Sequence, residues 1–386
     1  KHVVADGQRV LNLATFNFLG LANTSEQTAT AHAAVDKYGV GSCGPRGFYG
    51  TIDVHLTLED ELQQFMGTEK AVIYSYDIAT VGSVIPGFAN RGDVLVMDEC
   101  CAYPIQQGVV LSRATVHCFK HNDMADLERV LQDVEKRARQ LRQPLNRRFI
   151  IVEGIYANHG ELCPLAEVVA LKHKYKWRLM LEESYSFGVL GNTGRGAAEH
   201  WGIPPEQIEV ICASMGNALG SVGGFCVGSE EIVEYQRLGG SGYCFSASLP
   251  PYLATAASQV LSELRTRGPT QLLPAVRRAA AAMRRELRNI EGLVLVGASS
   301  VNDASPVLHL RLANPATDRA KAEQVLQRVS DHLLHTGGVL MSLARYSTLE
   351  RSLPPPSLRL IVTAELTDAD VTAIAVAVTR AAKECL

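Results

Sequence analysis

The chain has 386 residues, 47% of them hydrophobic, with a mean hydropathy of +0.04, a net charge of -3 and a pI of 6.4. That length supports a large core and more than one domain. The charge balance lacks the basic excess that nucleic acid demands, and no run of about 18 apolar residues is present to span a membrane.

Residues 1–55 are Gly-rich and precede the first strong strand pattern. Short apolar runs then recur: AVIY (71–74), VLVM (94–97), TVHCF (115–119), FIIVEG (149–154), RLMLEE (178–183), EVICAS (209–214) and GGFCVG (223–228). Several are apolar throughout, as strands covered by helices on both faces must be. Amphipathic segments of helix length lie between them, such as PLAEVVALKHKYK (164–176). The alternation predicts an α/β fold with a mostly parallel, doubly wound sheet and right-handed crossovers. The charge-dense stretch Asp133–Arg148 reads as a solvated helix face and loop, with a partner or phosphate patch as the sharper alternative.

After SLPPYLATAA (248–257) the texture changes. Long Ala/Arg/Leu segments (252–291) precede GLVLVGA (292–298), VLHLRL (307–312), a helical pattern at 320–336, SLRLIVTAE (357–365) and a last helix at 367–385. The expected division is an N-terminal segment 1–55, a large domain 56–250 and a smaller α+β domain 251–386.

Nine cysteines stand at 43, 100, 101, 118, 163, 212, 226, 244 and 385. The odd, scattered set predicts free thiols in a reducing compartment. There is no CxxC pair and no Cys/His group with zinc spacing, so no metal site is expected. The chain starts at Lys1 without a signal-peptide pattern, which reads as an excised piece whose N-terminal anchor was removed.

In open α/β sheets, ligands bind beyond the carboxyl ends of the strands. The informative residues are therefore YSYDIAT (74–80), MDECCAY (97–103), VEGIYANHGELCPL (152–165), LEESYSFGVLGNTGRG (181–196) and CASMGNALGSVGG (212–224). Two further stretches, GVGSCGPRGFYGTIDVHLTLE (39–59) and PPPSLRLIV (354–362), join them. Nearly the whole chain resembles the α-oxoamine synthases, fold-type-I enzymes that use pyridoxal phosphate (PLP) to condense an amino acid with an acyl-CoA and release CO2. YGVGSCGPRGFYGTIDVHL (38–56), FKHNDM (119–124), SFGVLG (186–191), GGFC (223–226), YQRL (235–238) and GYCFSASLPP (242–251) are similar to signatures of one branch, the LCB1-type subunit of serine palmitoyltransferase.

PLP chemistry needs a lysine, an acid at the pyridine nitrogen, a ring-stacking group and donors around the phosphate. The resemblance aligns Asn217 with the lysine, and no lysine occurs between Lys176 and Lys321. It aligns Glu182 with the pyridine aspartate, Tyr185 with a histidine of the same motif, Cys101 with the stacking histidine and Asp77 with a phosphate-side glycine. A carboxylate at Asp77 repels a phosphate dianion that a helix N-terminus otherwise favours. Together these changes imply that PLP is held covalently by an LCB2-type partner in a heterodimer, not by this chain.

By the same resemblance, Ser246, Ala247 and Ser248 reach the partner's cofactor phosphate, and Arg46, Tyr49 and Gly50 lie near its substrate entrance. Against these stand turn capping for the serines and a structural ion pair for Arg46. Arg359 aligns with the arginine that grips the substrate carboxylate and reads as a remnant. His55 reads as a satisfied structural histidine, and His121 as a contact before a helix capped by Asn122 or Asp123. The implied complex converts L-serine and palmitoyl-CoA to 3-ketodihydrosphingosine. It is expected at the endoplasmic reticulum membrane, facing the cytosol, anchored by a segment outside this chain and joined by small regulatory subunits. Two other readings are an active homodimer using another lysine and a purely structural scaffold.

Overall fold

The computed structural model describes residues 1–386 apart from 43, 143 and 315–317, so Cys43 lies outside the described residues. Two strands, β1 (His2–Ala5) and β2 (Gln8–Asn12), form an antiparallel hairpin. The central sheet holds β3 (Lys70–Tyr74), β4 (Val94–Asp98), β5 (Thr115–Phe119), β6 (Arg148–Glu153), β7 (Arg178–Glu182), β8 (Val210–Ser214) and β9 (Gly224–Gly228). Their order is β3-β9-β8-β7-β6-β4-β5, and only β9 runs antiparallel to its neighbours. Strands β4, β8 and β9 are buried at every position, which is why they read as unbroken apolar runs.

The helices follow their capping signals. Asp123 caps the helix Met124–Gln140, its side chain accepting from the Asp126 amide at 2.9 Å. Leu127, Val130, Leu131, Val134 and Ala138 form its buried face. The charges of the Asp133–Arg148 stretch accordingly fall on the outer side, with Asp133 paired to Arg129 at 3.0 Å.

The C-terminal part adds β10 (Leu293–Leu295), β11 (Val307–Leu312), β12 (Val339–Leu340), β13 (Ser342–Leu343) and β14 (Leu358–Ile361). Four of these form an antiparallel sheet in the order β10-β11-β14-β13. Leu308, Leu310, Leu326, Leu358, Ile374 and Val378 lie in a core of their own, separate from the core of the large sheet. The helix Pro251–Arg267 packs Val260, Leu261 and Leu264 into the large core, and Leu273–Leu287 packs Ala279, Met283 and Leu287 into the small one.

The N-terminus departs from the expected order. Strand β2 pairs in parallel with β12, Leu11 opposite Val339, and Leu13 joins the small core. The first dozen residues thus extend the C-terminal part, a pairing across more than three hundred residues that no local pattern announces. Among the described residues, no helix is long and apolar enough to cross a membrane.

One buried cation fastens the two parts. Arg284, 1% exposed, donates to the carbonyls of Gly160 (2.9 Å), Val307 (2.8 Å), Ser305 (3.2 Å) and Gly297 (3.2 Å). Burial lowers its pKa to about 10, so the guanidinium stays charged at neutral pH. Arg284→Ala strands these acceptors, each lost partner costing about 1–3 kcal/mol, and relaxation recovers part of the total. Urea unfolding should show a loss of roughly 3–5 kcal/mol, with Arg284→Lys intermediate; a loss below about 1 kcal/mol would contradict the role.

Candidate functional site

The carboxyl ends of β3, β4, β7 and β8 open onto a cleft of about 130 Å³ lined by Asp77, Ala102, Glu182, Ser184, Tyr185, Ser214 and Asn217, among others. That is small beside the roughly 300–1,000 Å³ of ordinary ligand pockets. Asp77 opens the helix Asp77–Phe88. Its Oδ1 accepts from the Ile78 amide at 3.0 Å and its Oδ2 from the Ser214 hydroxyl at 3.3 Å. A carboxylate therefore stands at the positive end of the helix, where an anionic ligand would otherwise be held.

Asn217 lies in the turn between β8 and β9. Its Nδ2 donates to the Ser184 carbonyl at 2.7 Å, and its backbone carbonyl accepts from Phe18 at 3.3 Å. Glu182 ends β7 and accepts from the Ser184 amide at 3.1 Å and from the Ser184 hydroxyl. Burial, reinforced by the nearby Glu153, raises its carboxyl to about 8. Burial likewise raises the Tyr185 phenol, whose ring meets Phe16 edge-on at 5.2 Å. Arg359 lies over the other ring contact of this group, 4.6 Å from the Phe16 centroid, with its Nε buried and unpartnered. Cys101 is fully buried beneath the cleft, and burial pushes its thiol well up.

These residues do not fit PLP. The lining offers no amine, an acid rather than open amides at the helix N-terminus, and no aromatic or imidazole ring from position 101.

The expected interface residues lie elsewhere. Arg46 forms a bidentate pair with Glu59, Nη1 to Oε1 at 2.9 Å and Nη2 to Oε2 at 3.0 Å, both buried. Arg237 shares Glu59 Oε2 at 3.0 Å. The structural alternative accounts for the whole Arg46 guanidinium, whose Nε also reaches Thr51 at 2.9 Å. Tyr49 is 88% exposed beside Phe48. Gly50 is packed so closely that a Cβ there would lie 1.8 Å from the Gly44 carbonyl and 2.2 Å from Ser248 Oγ.

Ser248 turns inward, its amide and hydroxyl both donating to the Gly44 carbonyl at 3.0 and 2.9 Å. That geometry leaves it no free donor for a partner's phosphate. Ser246 donates to the Gly242 carbonyl, and Ala247 is exposed, its carbonyl accepting from Ser75. His55 is buried between the Leu249 carbonyl (2.6 Å) and the Ile52 amide (3.2 Å), and burial lowers its pKa. It is the structural histidine expected.

The spacing of cysteines and histidines missed one grouping. Cys100, His121 and His159 approach with their ligand atoms within 4.8 Å of one another. They come from the ends of β4, β5 and β6, which are spatial neighbours but lie far apart in sequence.

Residues 8–378 match the family of class I and II aminotransferases. The chain is 43% identical to long chain base biosynthesis protein 1b of Oryza sativa subsp. japonica, over 100% of this chain and 78% of that protein. It is 40% identical to serine palmitoyltransferase 1 of Dictyostelium discoideum, over 95% and 76%. The chain belongs to the serine palmitoyltransferase subunit 1 family. Its fold is that of the fold-type-I PLP enzymes, and a Sphingomonas wittichii serine palmitoyltransferase superposes with a TM-score of 0.87 at 26% identity, over 100% of this chain and 90% of that one. A serine palmitoyltransferase carrying PLP as its internal aldimine gives 0.86, with the same coverage.

In this family member, the buried acid at the cleft sets a pH dependence. Glu182 titrates near 8 when folded and near 4.5 when unfolded, so the folded state binds more protons between these values. Stability must then fall as pH rises through that window. Glu182→Gln keeps the acceptor for Ser184 and removes the ionisation. The variant should exceed wild type by on the order of 1–2 kcal/mol at pH 8.5 and match it near pH 5. Denaturation curves at the two pH values check this; equal differences at both would refute it.

Proposed function

We propose that this chain is the non-imine-forming subunit of serine palmitoyltransferase. It pairs with an LCB2-type subunit that holds PLP covalently, and the heterodimer condenses L-serine with palmitoyl-CoA to 3-ketodihydrosphingosine with loss of CO2. The observation that carries this reading is Asn217. It stands in the turn where the resemblance sets the lysine, and its amide is tied to Ser184 in a cleft already holding the Asp77 carboxylate. In this reading the Gly-rich loop 39–50 lies at the subunit interface, while residues 1–12 extend the small C-terminal part and Pro251–Arg267 belongs to the large core. The complex sits at the endoplasmic reticulum membrane with its catalytic body facing the cytosol.

When bound to the partner, PLP supplies the electron sink for decarboxylative condensation. This chain's residues shape the partner's pocket wall. Arg46, locked by Glu59, holds the loop that presents Tyr49, and the two Ser248–Gly44 bonds fix the preceding segment, whose exposed Phe245 and Ala247 face the partner.

Co-expression with an LCB2-type subunit, co-purification and a serine plus palmitoyl-CoA assay test the reading. Activity should require both chains. Condensation by this chain alone, or a stoichiometric pyridoxyl-lysine in it after borohydride treatment, would support the homodimer instead. Asn217→Lys alone should stay inactive, since Asp77, Glu182 and Cys101 remain.

The two serines should separate. In the complex the half-buried Ser246 hydroxyl exchanges the Gly242 carbonyl for the partner's phosphate, a bond to a charged acceptor worth about 1.5–3 kcal/mol, so the Ser246→Ala heterodimer should assemble normally and bind PLP roughly 10-fold more weakly. Ser248→Ala should instead loosen the Gly44 loop and lower assembly. Unchanged PLP affinity in assembled Ser246→Ala heterodimer favours the scaffold reading.

A further inference from the structure

We propose that Cys100, His121, His159 and Glu161 form a zinc site at the carboxyl ends of β4, β5 and β6, outside the cleft and independent of the function assigned above. A thiolate, two imidazoles and a carboxylate make a donor set suited to a borderline-soft, tetrahedral dication.

The geometry is nearly assembled. Glu161 Oε2 lies 3.4 Å from His121 Nε2 and 3.7 Å from His159 Nδ1. With Zn–N of about 2.0–2.1 Å and Zn–S of about 2.3 Å, the edges of a tetrahedral site span roughly 3.3–3.7 Å. The ligand atoms of Cys100, His121 and His159 lie within 4.8 Å of one another and close by side-chain movements of about 1 Å; Glu161 stands outside that group, beside the two imidazoles, and swings in as the fourth ligand. His121 Nε2 is buried and has no hydrogen-bond partner, so its contact with Glu161 is close but not hydrogen-bonded.

An outer shell is also present. Asp98 Oδ1 lies 2.9 Å from His121 Nδ1 and holds a proton there, which leaves Nε2 as the nitrogen that faces the site. This is the carboxylate–histidine pairing that orients metal-bound imidazoles. Asp98 is itself fully buried and held by the amides of Cys100 (2.8 Å) and Asn122 (2.9 Å). The loop carrying His159 and Glu161 is pinned by Arg284 on the Gly160 carbonyl. Gly160 has φ +70, and a Cβ there would lie 2.1 Å from the Val307 carbonyl.

Charge closes as well. Arg311 acts electrostatically on Cys100 and Glu161. One thiolate and the carboxylates of Asp98 and Glu161 balance a dication and this guanidinium. Binding releases the thiol proton of Cys100 and the Nε2 proton that the flanking Asp98 and Glu161 favour on His121, since imidazoles ligate in the neutral form. The ion would tie three adjacent strand ends.

The test uses the full chain, stripped with a chelator under a non-thiol reductant and titrated with Co2+. Wild type should bind one equivalent, with the thiolate-to-cobalt charge-transfer band and the d–d bands of a tetrahedral ion, both abolished by Zn2+. Cys100→Ser, nearly isosteric, should lose the charge-transfer band. His159→Ala should weaken binding at least 10-fold. Zn2+ should raise the Tm of wild type but not of Cys100→Ser, with circular dichroism confirming that the variants fold. No charge-transfer band in wild type overturns the proposal, as does a band that persists in folded Cys100→Ser. If His159→Ala misfolds, Glu161→Gln takes its place, and unchanged Co2+ affinity in the folded variant is equally fatal.

Discussion

Three neighbouring strands of the central sheet end in a buried acid: Asp98 on β4, Glu153 on β6 and Glu182 on β7. Burying a carboxyl is costly unless it is hydrogen-bonded or neutral. Each of these acids meets that demand by gripping the backbone of the loops that follow. Asp98 takes the amides of Cys100 and Asn122, Glu153 those of Ala102 and Ala157, and Glu182 that of Ser184. Burial raises Glu153 to about 7 and Glu182 to about 8, so this edge carries protons as well as charge near neutrality. The rim is closed by the chain's own groups, and its loops have partners without any bound molecule.

Asp77 and Asn217 are held in the same manner. The helix N-terminus receives a carboxylate from its own first residue, and the turn between β8 and β9 receives an amide that bonds Ser184. Each is satisfied by a contact inside the chain. The sheet's strands bury apolar residues on both faces, and the acids at their ends are stitched locally.

The strands of the large sheet were legible because burial on both faces writes itself as unbroken apolar runs. The cap at Asn122 or Asp123 was legible because capping is local, and the structure selects Asp123; His55 was read as structural, but its Leu249 partner comes only from the fold. The β2–β12 pairing was not, because two-residue strands carry almost no pattern and their partner is distant. Arg46 read equally well as an interface group or an ion pair; only the fold brings Glu59 and Arg237 to it. Ser248 looked like its neighbour Ser246, and only the fold brings the Gly44 carbonyl to it, in space that Gly50 leaves open. The Cys100, His121 and His159 grouping escaped because zinc spacing rules describe ligands within a short loop, whereas here three strand ends supply them.

The cleft and the proposed interface share a strand end. Within four residues after β3 begins to leave the sheet, Tyr74 bonds Gln236, Ser75 bonds the Ala247 carbonyl and Asp77 opens the helix under the cleft. Glu59, which locks Arg46, also accepts from the Ile73 amide at 3.1 Å. The exposed Phe48, Tyr49 and Phe245 are therefore mounted, through Glu59, Gly50 and Ser75, on the same strand that delivers Asp77. Exposed aromatics on a rigid mount suit an interface, since little conformational freedom remains to be lost on docking. A cleft closed by internal contacts holds that mount still whether or not a ligand is near, which is the property a subunit needs if it shapes another chain's pocket rather than its own.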